Sequence, residues 1–423
     1  MAGDERLTLR LAPLGGALLG LLLAAPGAQA ATPWGLVLSE EVTHDSNVFR
    51  ASDANAAADT LSNTGLRLTL NQPLGRQQWN NYAAVNLERY LDHSAWNHVA
   101  YDVGSELDWS APELWQGELG ASASQQLYRA DQDVAEPLRN LDRARRAWLR
   151  ARKGVVTDWT FELAVNGFQR DLSLASSDSL DQRQGALEAG VGFQPNPDLR
   201  TRLLGRRTVG EYPHLADGTR DHYTRNDLEL GLDWQPSGAS TLAGRVAWGR
   251  EDHSVSSQRS ANVWAGSLAW RWQPTGKLNF ETRLQRDNDT GSSRFQQAGS
   301  GSSGSGSSGG SASDTQQNTD AKLSTSAGLT AQWTLSALWR LNAAAALTHR
   351  ALDRAASSGT DTQGTDDTRT LSLGFTYSPT RRIDLGCTVS RERRTVSADV
   401  GGLSFPYEAN SAGCSARWWL GQH

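Results

Sequence analysis

The sequence predicts an all-β chain, a single antiparallel transmembrane β-barrel of about 18 strands (about 16–18) with short periplasmic turns and long extracellular loops. Three observations predict it. Side-chain polarity alternates with a period of two along most of residues 31–423. An aromatic residue followed by a proline recurs between the alternating segments, and short and long connections take turns along the chain.

In chain order, residues 1–30 read as an export leader. Arg6 and Arg10 precede the apolar run "LGGALLGLLLAAPG", and Ala28 and Ala30 occupy the small positions of a cleavage site after Ala30. That run is short for a membrane helix, and nothing later in the chain is long and apolar enough for one. With 38% apolar and 21% charged residues, a soluble protein and a membrane barrel are equally compatible with the composition.

Alternation separates them. "VAYDVGSELDW" (99–109) sets Val99, Tyr101, Val103, Leu107 and Trp109 against Asp102, Gly104, Glu106 and Asp108. "DWTFELAVNGF" (158–168) and "DLELGLDW" (227–234) repeat the pattern. Successive strand side chains point to opposite faces, so each segment has one apolar and one charged face. The segments mostly run nine to fourteen residues. A tilted strand needs about 9–11 to cross a bilayer.

The punctuation reads "DWSAPELW", "FQPNPDLR", "DWQPSGASTL", "RWQPTGKLNF" and "TYSPTRRIDL". Pro112, Pro195, Pro236, Pro274 and Pro379 are expected to set tight reversals. Trp109, Phe193, Trp234, Trp272 and Tyr377 would then share one level, as an interfacial girdle. This accounts for much of an unusual composition, 16 Trp against 8 Phe. The long polar connections fall at 45–61, 92–97, 130–142, 170–183, 210–224, 252–259, 288–320, 352–366 and 395–408. They give eighteen strands from near Trp34 to near Leu420, with both ends periplasmic. The stretch 298–314 is a Gly/Ser repeat placed at an extracellular loop tip, where its composition predicts disorder. The last strand, "SAGCSARWWLGQH", ends without a terminal Phe, and Trp418, Trp419 and Leu420 are its apolar close.

The chemistry on offer is sparse. "HDSNVFRASD" (44–53) suggests a calcium loop, but it lacks the central Gly and places Val48 and Phe49 inside. Asp45 and Asn47 are better read as turn residues that bond their own backbone. G-x-S-x-G occurs only as 306–310 within the Gly/Ser repeat, which offers no fixed base, and His93 and His98 span a hairpin tip rather than a helical metal face. No cofactor or metal is expected. The net charge is −5 and there is no basic tract, which argues against nucleic acid as a partner. Cys387 and Cys414 fall on the final two strands, either as a disulfide or as two small residues towards lipid.

The inward faces carry Glu88, Asp102, Glu106, Glu162, Asp227 and Glu229 with Arg146, Arg150, Arg152, Arg200, Arg202, Arg206, Arg245 and Arg283. The expected arrangement is an arginine-rich wall with carboxylate patches elsewhere. Such charges either wet a lumen or select an anionic or hydroxyl-rich solute, with Tyr90, Tyr128 and Trp148 as sugar-stacking surfaces.

The first quarter of the mature chain resembles the EpsL-type outer-membrane proteins of exopolysaccharide operons. The matching positions are Asp45, Asn47, Phe49 and Arg50, then Asp59, then Gly75, Arg76 and Gln77, then Arg89 and Tyr90. "SELDWSAPELWQGELG" (105–120) looks like the strand–turn–strand of that family. The resemblance implies a non-enzymatic outer-membrane component of exopolysaccharide biosynthesis and export. Its partners would be outer-membrane lipids, a polysaccharide and periplasmic export machinery. It supplies no catalytic residues. The alternatives are a barrel enzyme acting on glycan or lipid, and a general diffusion porin.

Overall fold

A computed structural model describes residues 34–287 and 321–421 of the chain, apart from 113, 130–132, 135, 155–156, 216–217, 256–259, 355–361 and 398–403. The expected leader (1–30) and the Gly/Ser stretch (298–314) lie outside the described residues.

Eighteen strands form one sheet. They are β1 (Trp34–Asp45), β2 (Asp59–Leu74), β3 (Gln77–Tyr90), β4 (His98–Ala111), β5 (Trp115–Tyr128) and β6 (Asn140–Lys153). Next come β7 (Trp159–Leu172), β8 (Gln182–Asn196), β9 (Leu199–Tyr212), β10 (Asp221–Ser237), β11 (Ser240–His253) and β12 (Ala261–Thr275). The last six are β13 (Leu278–Asp287), β14 (Ala321–Thr334), β15 (Trp339–Arg354), β16 (Thr362–Thr380), β17 (Ile383–Val396) and β18 (Tyr407–Gly421). Every strand pairs antiparallel with its sequence neighbours, and β1 also pairs with β18, so the sheet closes without an edge.

The register fixes two faces. Leu38, Leu66 and Val85 are cross-strand partners and face out, as do Leu163, Leu187, Leu230, Leu371 and Val389. A membrane barrel hides no such side chains in a core; lipid takes that place. All tryptophans except Trp96, Trp148 and Trp419 lie on the outward face. Trp34, Trp115, Trp159, Trp234, Trp272, Trp333, Trp339 and Trp418 gather at the end with the short connections. Rings pair across strands there, Trp159 with Phe193 at 4.6 Å and Trp339 with Tyr377 at 4.6 Å between centroids. This is the expected girdle, and it marks one interface.

Two expectations need correction. Four of the five prolines are not in turns. Pro195, Pro236, Pro274 and Pro379 lie inside strand ends, within register shifts at Phe193/Asn196, Trp234/Ser237, Trp272/Thr275 and Tyr377/Thr380. A bulge leaves one residue without a ladder partner, and proline, lacking an N–H, fits it without loss. The residue just before each proline then reaches sideways. Gln194, Gln235, Gln273 and Ser378 donate their N–H groups to the carbonyls of Asp158, Asp198, Ala239 and Leu338, stitching neighbouring turns together. The second correction concerns length. The strands extend past the expected limits at the long-loop end, β16 beginning at Thr362 and β10 at Asp221. Polar residues read as loop are paired there instead, as Asp366 is with Arg350 at 2.6 Å across β15 and β16.

Candidate functional site

The lumen is the candidate site, and its charges interlock. Glu118 Oε1 on β5 receives Arg152 Nη2 at 2.5 Å and Arg150 Nη1 at 3.2 Å, both from β6. Arg150 Nε also meets Glu162 on β7 at 3.1 Å. Arg202 on β9 spans Glu162 at 3.9 Å and Glu229 on β10 at 3.5 Å. The chain Arg152–Glu118–Arg150–Glu162–Arg202–Glu229 thus crosses six strands. Beside it, Arg206 meets Glu188 at 2.7 Å, and Arg225 meets Asp227 at 2.9 Å and Glu251 at 3.6 Å. Arginines and carboxylates are therefore interleaved, not segregated into a basic wall with separate acidic patches. Opposite charges brought together by register neutralise one another, and the carboxylates Glu118, Glu162, Glu188 and Glu229 lie buried against the wall.

The remaining predicted positions fall around this chain. Arg146 on β6 stacks over the Phe168 ring at 5.2 Å. Among the described residues Arg200 has no carboxylate within ion-pair distance, and Arg283 pairs with Glu281 on its own strand. Towards β3 and β4 the acids take neutral donors: Tyr82 to Asp102 at 3.1 Å, Asn80 to Asp108 at 2.8 Å and Trp148 Nε1 to Glu106 at 3.1 Å. Glu88 faces His98 at 3.5 Å. Tyr90 and Tyr128 are buried, the latter beneath Arg170, while Trp148 is half-buried in the wall.

Sequence reasoning missed three things. Glu118 and Glu188 sit at inward positions beside outward Leu119 and Leu187, so the same alternation could have found them. His253 is enclosed on β11, with Nδ1 2.8 Å from Asp221 and Nε2 2.8 Å from Glu251. The third is a hydroxyl wall on β14 to β18, where Thr330, Thr348, Thr370, Ser372, Thr388 and Ser390 take inward places opposite outward Leu and Val. Ser390 and Ser411 touch at 2.7 Å across β17 and β18.

The stretch at 44–53 builds the mouth. Asp45 accepts the Asn47 N–H at 2.8 Å, and Asn47 exchanges bonds with Ala51 at 2.7 and 3.1 Å. These are the backbone-bonding roles expected of them. Arg50 holds a left-handed φ of 58° and is clamped by Asp45 at 2.9 Å and by inward Glu392 of β17 at 3.2 Å. Burial opposes its charge, yet Glu392 and Asp45 outweigh that and hold its pKa above the usual value. Val48 and Phe49 then pack with Tyr90 and Trp96, Phe49 lying 4.4 Å from Trp96 between centroids. Trp96 Nε1 donates to Pro137 at 2.6 Å, so three successive outer loops form one knot. Of the other resemblance positions, Asp59 caps the second loop, and Gly75, at φ 68°, starts the two-residue turn with Arg76 that Gln77 leaves. Cys387 and Cys414 are bonded, facing lipid across β17 and β18.

No family model matches the chain, and no curated protein matches it in sequence. In fold it is similar to the crystal structure of OccK1 (OpdK) from Pseudomonas aeruginosa, with a TM-score of 0.50 and 13% identity over 93% of this chain and 100% of that one. The outer membrane protein OpdK of the same organism (TM-score 0.46, 12% identity, 93% and 100% covered) is also similar. So is OccAB2 of Acinetobacter baumannii (TM-score 0.48, 10% identity, 93% and 100% covered). The protein is a closed 18-stranded antiparallel barrel of the bacterial outer membrane.

Proposed function

We propose that the protein is a diffusion channel of the porin type, passing small hydrophilic solutes across the outer membrane without catalysing a reaction. One observation carries this reading: eighteen strands close around an inward face on which charged and hydroxyl side chains predominate, with a few apolar ones such as Phe168 and Leu204 among them. Barrels of about 16–18 strands enclose an aqueous channel rather than a filled core. The likeness in fold supports this general porin reading, an alternative on sequence grounds, more than it supports polysaccharide passage. The interleaved ion pairs leave little net positive charge to select anions, and the opposite wall offers hydroxyls.

Polysaccharide translocation with a periplasmic partner is the second reading. What favours it is that Asp45, Asn47, Phe49 and Arg50, which carry the EpsL-type resemblance, join in one structured knot at the mouth. Planar-bilayer conductance of the purified barrel separates the two. Stable open steps in salt alone, unchanged by acidic oligosaccharide, are the expected result for a porin. Block by the sugar would favour the second reading, and a barrel that never conducts would overturn the first.

A further inference from the structure

The outward face holds a charge arrangement that the lumen does not explain. At the long-loop end of β16 and β17, Arg369 and Arg393 are direct cross-strand partners and both are exposed. Arg391, also outward, stands one step lower and pairs with Glu408 of β18 at 2.8 Å. The other nearby acid, Asp367, is taken by His349 at 2.9 Å. Among the described residues neither Arg369 nor Arg393 has a carboxylate within ion-pair distance; Glu408, the cross-strand neighbour of Arg393 on β18, turns to Arg391 instead and offsets the facing pair only in part. Like charges directly opposite on a sheet are destabilising. The cost rises where low-dielectric lipid adjoins them.

Their level is equally specific. Reading outward positions along β16 from the short-turn end gives Tyr377, Phe375, Leu373 and Leu371, then Arg369. Along β17 it gives Ile383, Leu385, Cys387 and Val389, then Arg391 and Arg393. The arginines are the first charges above an apolar band in which Leu371 and Leu373 are each 62% exposed. A ligand that fits must be anionic at its head and apolar below it.

We propose that Arg369 and Arg393 bind the phosphorylated headgroup of an external-leaflet lipid, whose acyl chains lie on Leu371, Leu373 and Val389. Guanidinium forks match phosphate oxygens in pairs, so one phosphate between two apposed arginines turns a repulsion into two charge-assisted contacts. This site is independent of what passes through the lumen.

The test uses the whole barrel, purified and delipidated in a neutral detergent, with lipid A bearing two phosphates as the probe. Native mass spectrometry reads retention, and the temperature at which the heat-modifiable gel band is lost reads stability. Wild type is expected to retain lipid A and to gain stability from it, with R369Q/R393Q retaining about tenfold less. In lipid-free detergent the double variant should match or exceed wild type, because the repulsion is gone. Equal retention by the variant overturns the proposal. So does equal retention of dephosphorylated lipid A, or equal protection by inorganic phosphate, which would make the site one for a free anion. Should the double variant fail to give the folded band, R369Q alone is read against the same outcomes.

Discussion

Arg202 shows what a single residue contributes to the lumen. Its guanidinium bridges Glu162 and Glu229, carboxylates from strands on either side. Arg202→Gln removes one positive charge, leaving Glu229 without its arginine and Glu162 with Arg150 alone, so the wall becomes more negative. The zero-current potential across a bilayer in a salt gradient should then move towards that of the cation. Glu118→Gln should move it the other way, since it frees Arg152 and leaves Arg150 with Glu162 alone. No shift in either variant would mean that ions do not pass this wall. The inward placing of Arg150 and Arg202 was legible from alternation alone. Which carboxylate meets which arginine was not, because Glu118, for one, lies 32 and 34 residues from its two arginines. Only strand register makes them neighbours, and a one-residue slip would put every one of them in lipid.

At the scale of elements, the outer loops are held by polar residues that open the descending strands. Asp59, first in β2, accepts N–H groups from Leu91 and Asp92 at 3.1 Å each and from His93 at 3.0 Å. Asn140, first in β6, takes those of Ser173 and Leu174 at 3.1 Å each. Asp221, first in β10, takes that of Val255 at 3.0 Å. Each caps the loop leaving the strand beside it. Removing a buried acceptor strands its donors, at about 1–3 kcal/mol. Asp59→Ala should therefore loosen the loop at Trp96 while the strands hold. Brief chymotrypsin treatment should cut the variant near Trp96 and spare wild type; equal resistance would show that the aromatic packing suffices alone. The number and order of strands were readable because alternation is local. Their outer ends were not, since Asp, Asn and Arg in a row look like loop until cross-strand partners are known. The prolines misled for a related reason: φ restriction suits a turn, but a missing N–H suits a bulge equally well.

On the scale of the whole molecule, closure removes every sheet edge, and the outward apolar band with its tryptophan rim fits the barrel to a bilayer. The bond between Cys387 and Cys414 adds a constraint in time. It faces hydrocarbon, out of reach of aqueous oxidases and reductants once the strands are in place. The two thiols must therefore meet while the chain is still in water, so the last hairpin arrives already in register. Val42 of β1 is the register partner of Cys414, which places this pre-joined hairpin along the seam where first and last strands meet. Replacing both cysteines with serine should leave the finished barrel closed but slow its appearance in a time course of heat-modifiable band formation. An unchanged time course would mean that the final ring closure needs no rehearsal. A slowed time course would instead mean that the last step depends on a hairpin finished before it meets the membrane, so that the redox state of the compartment it crosses sets how fast new channels reach the surface.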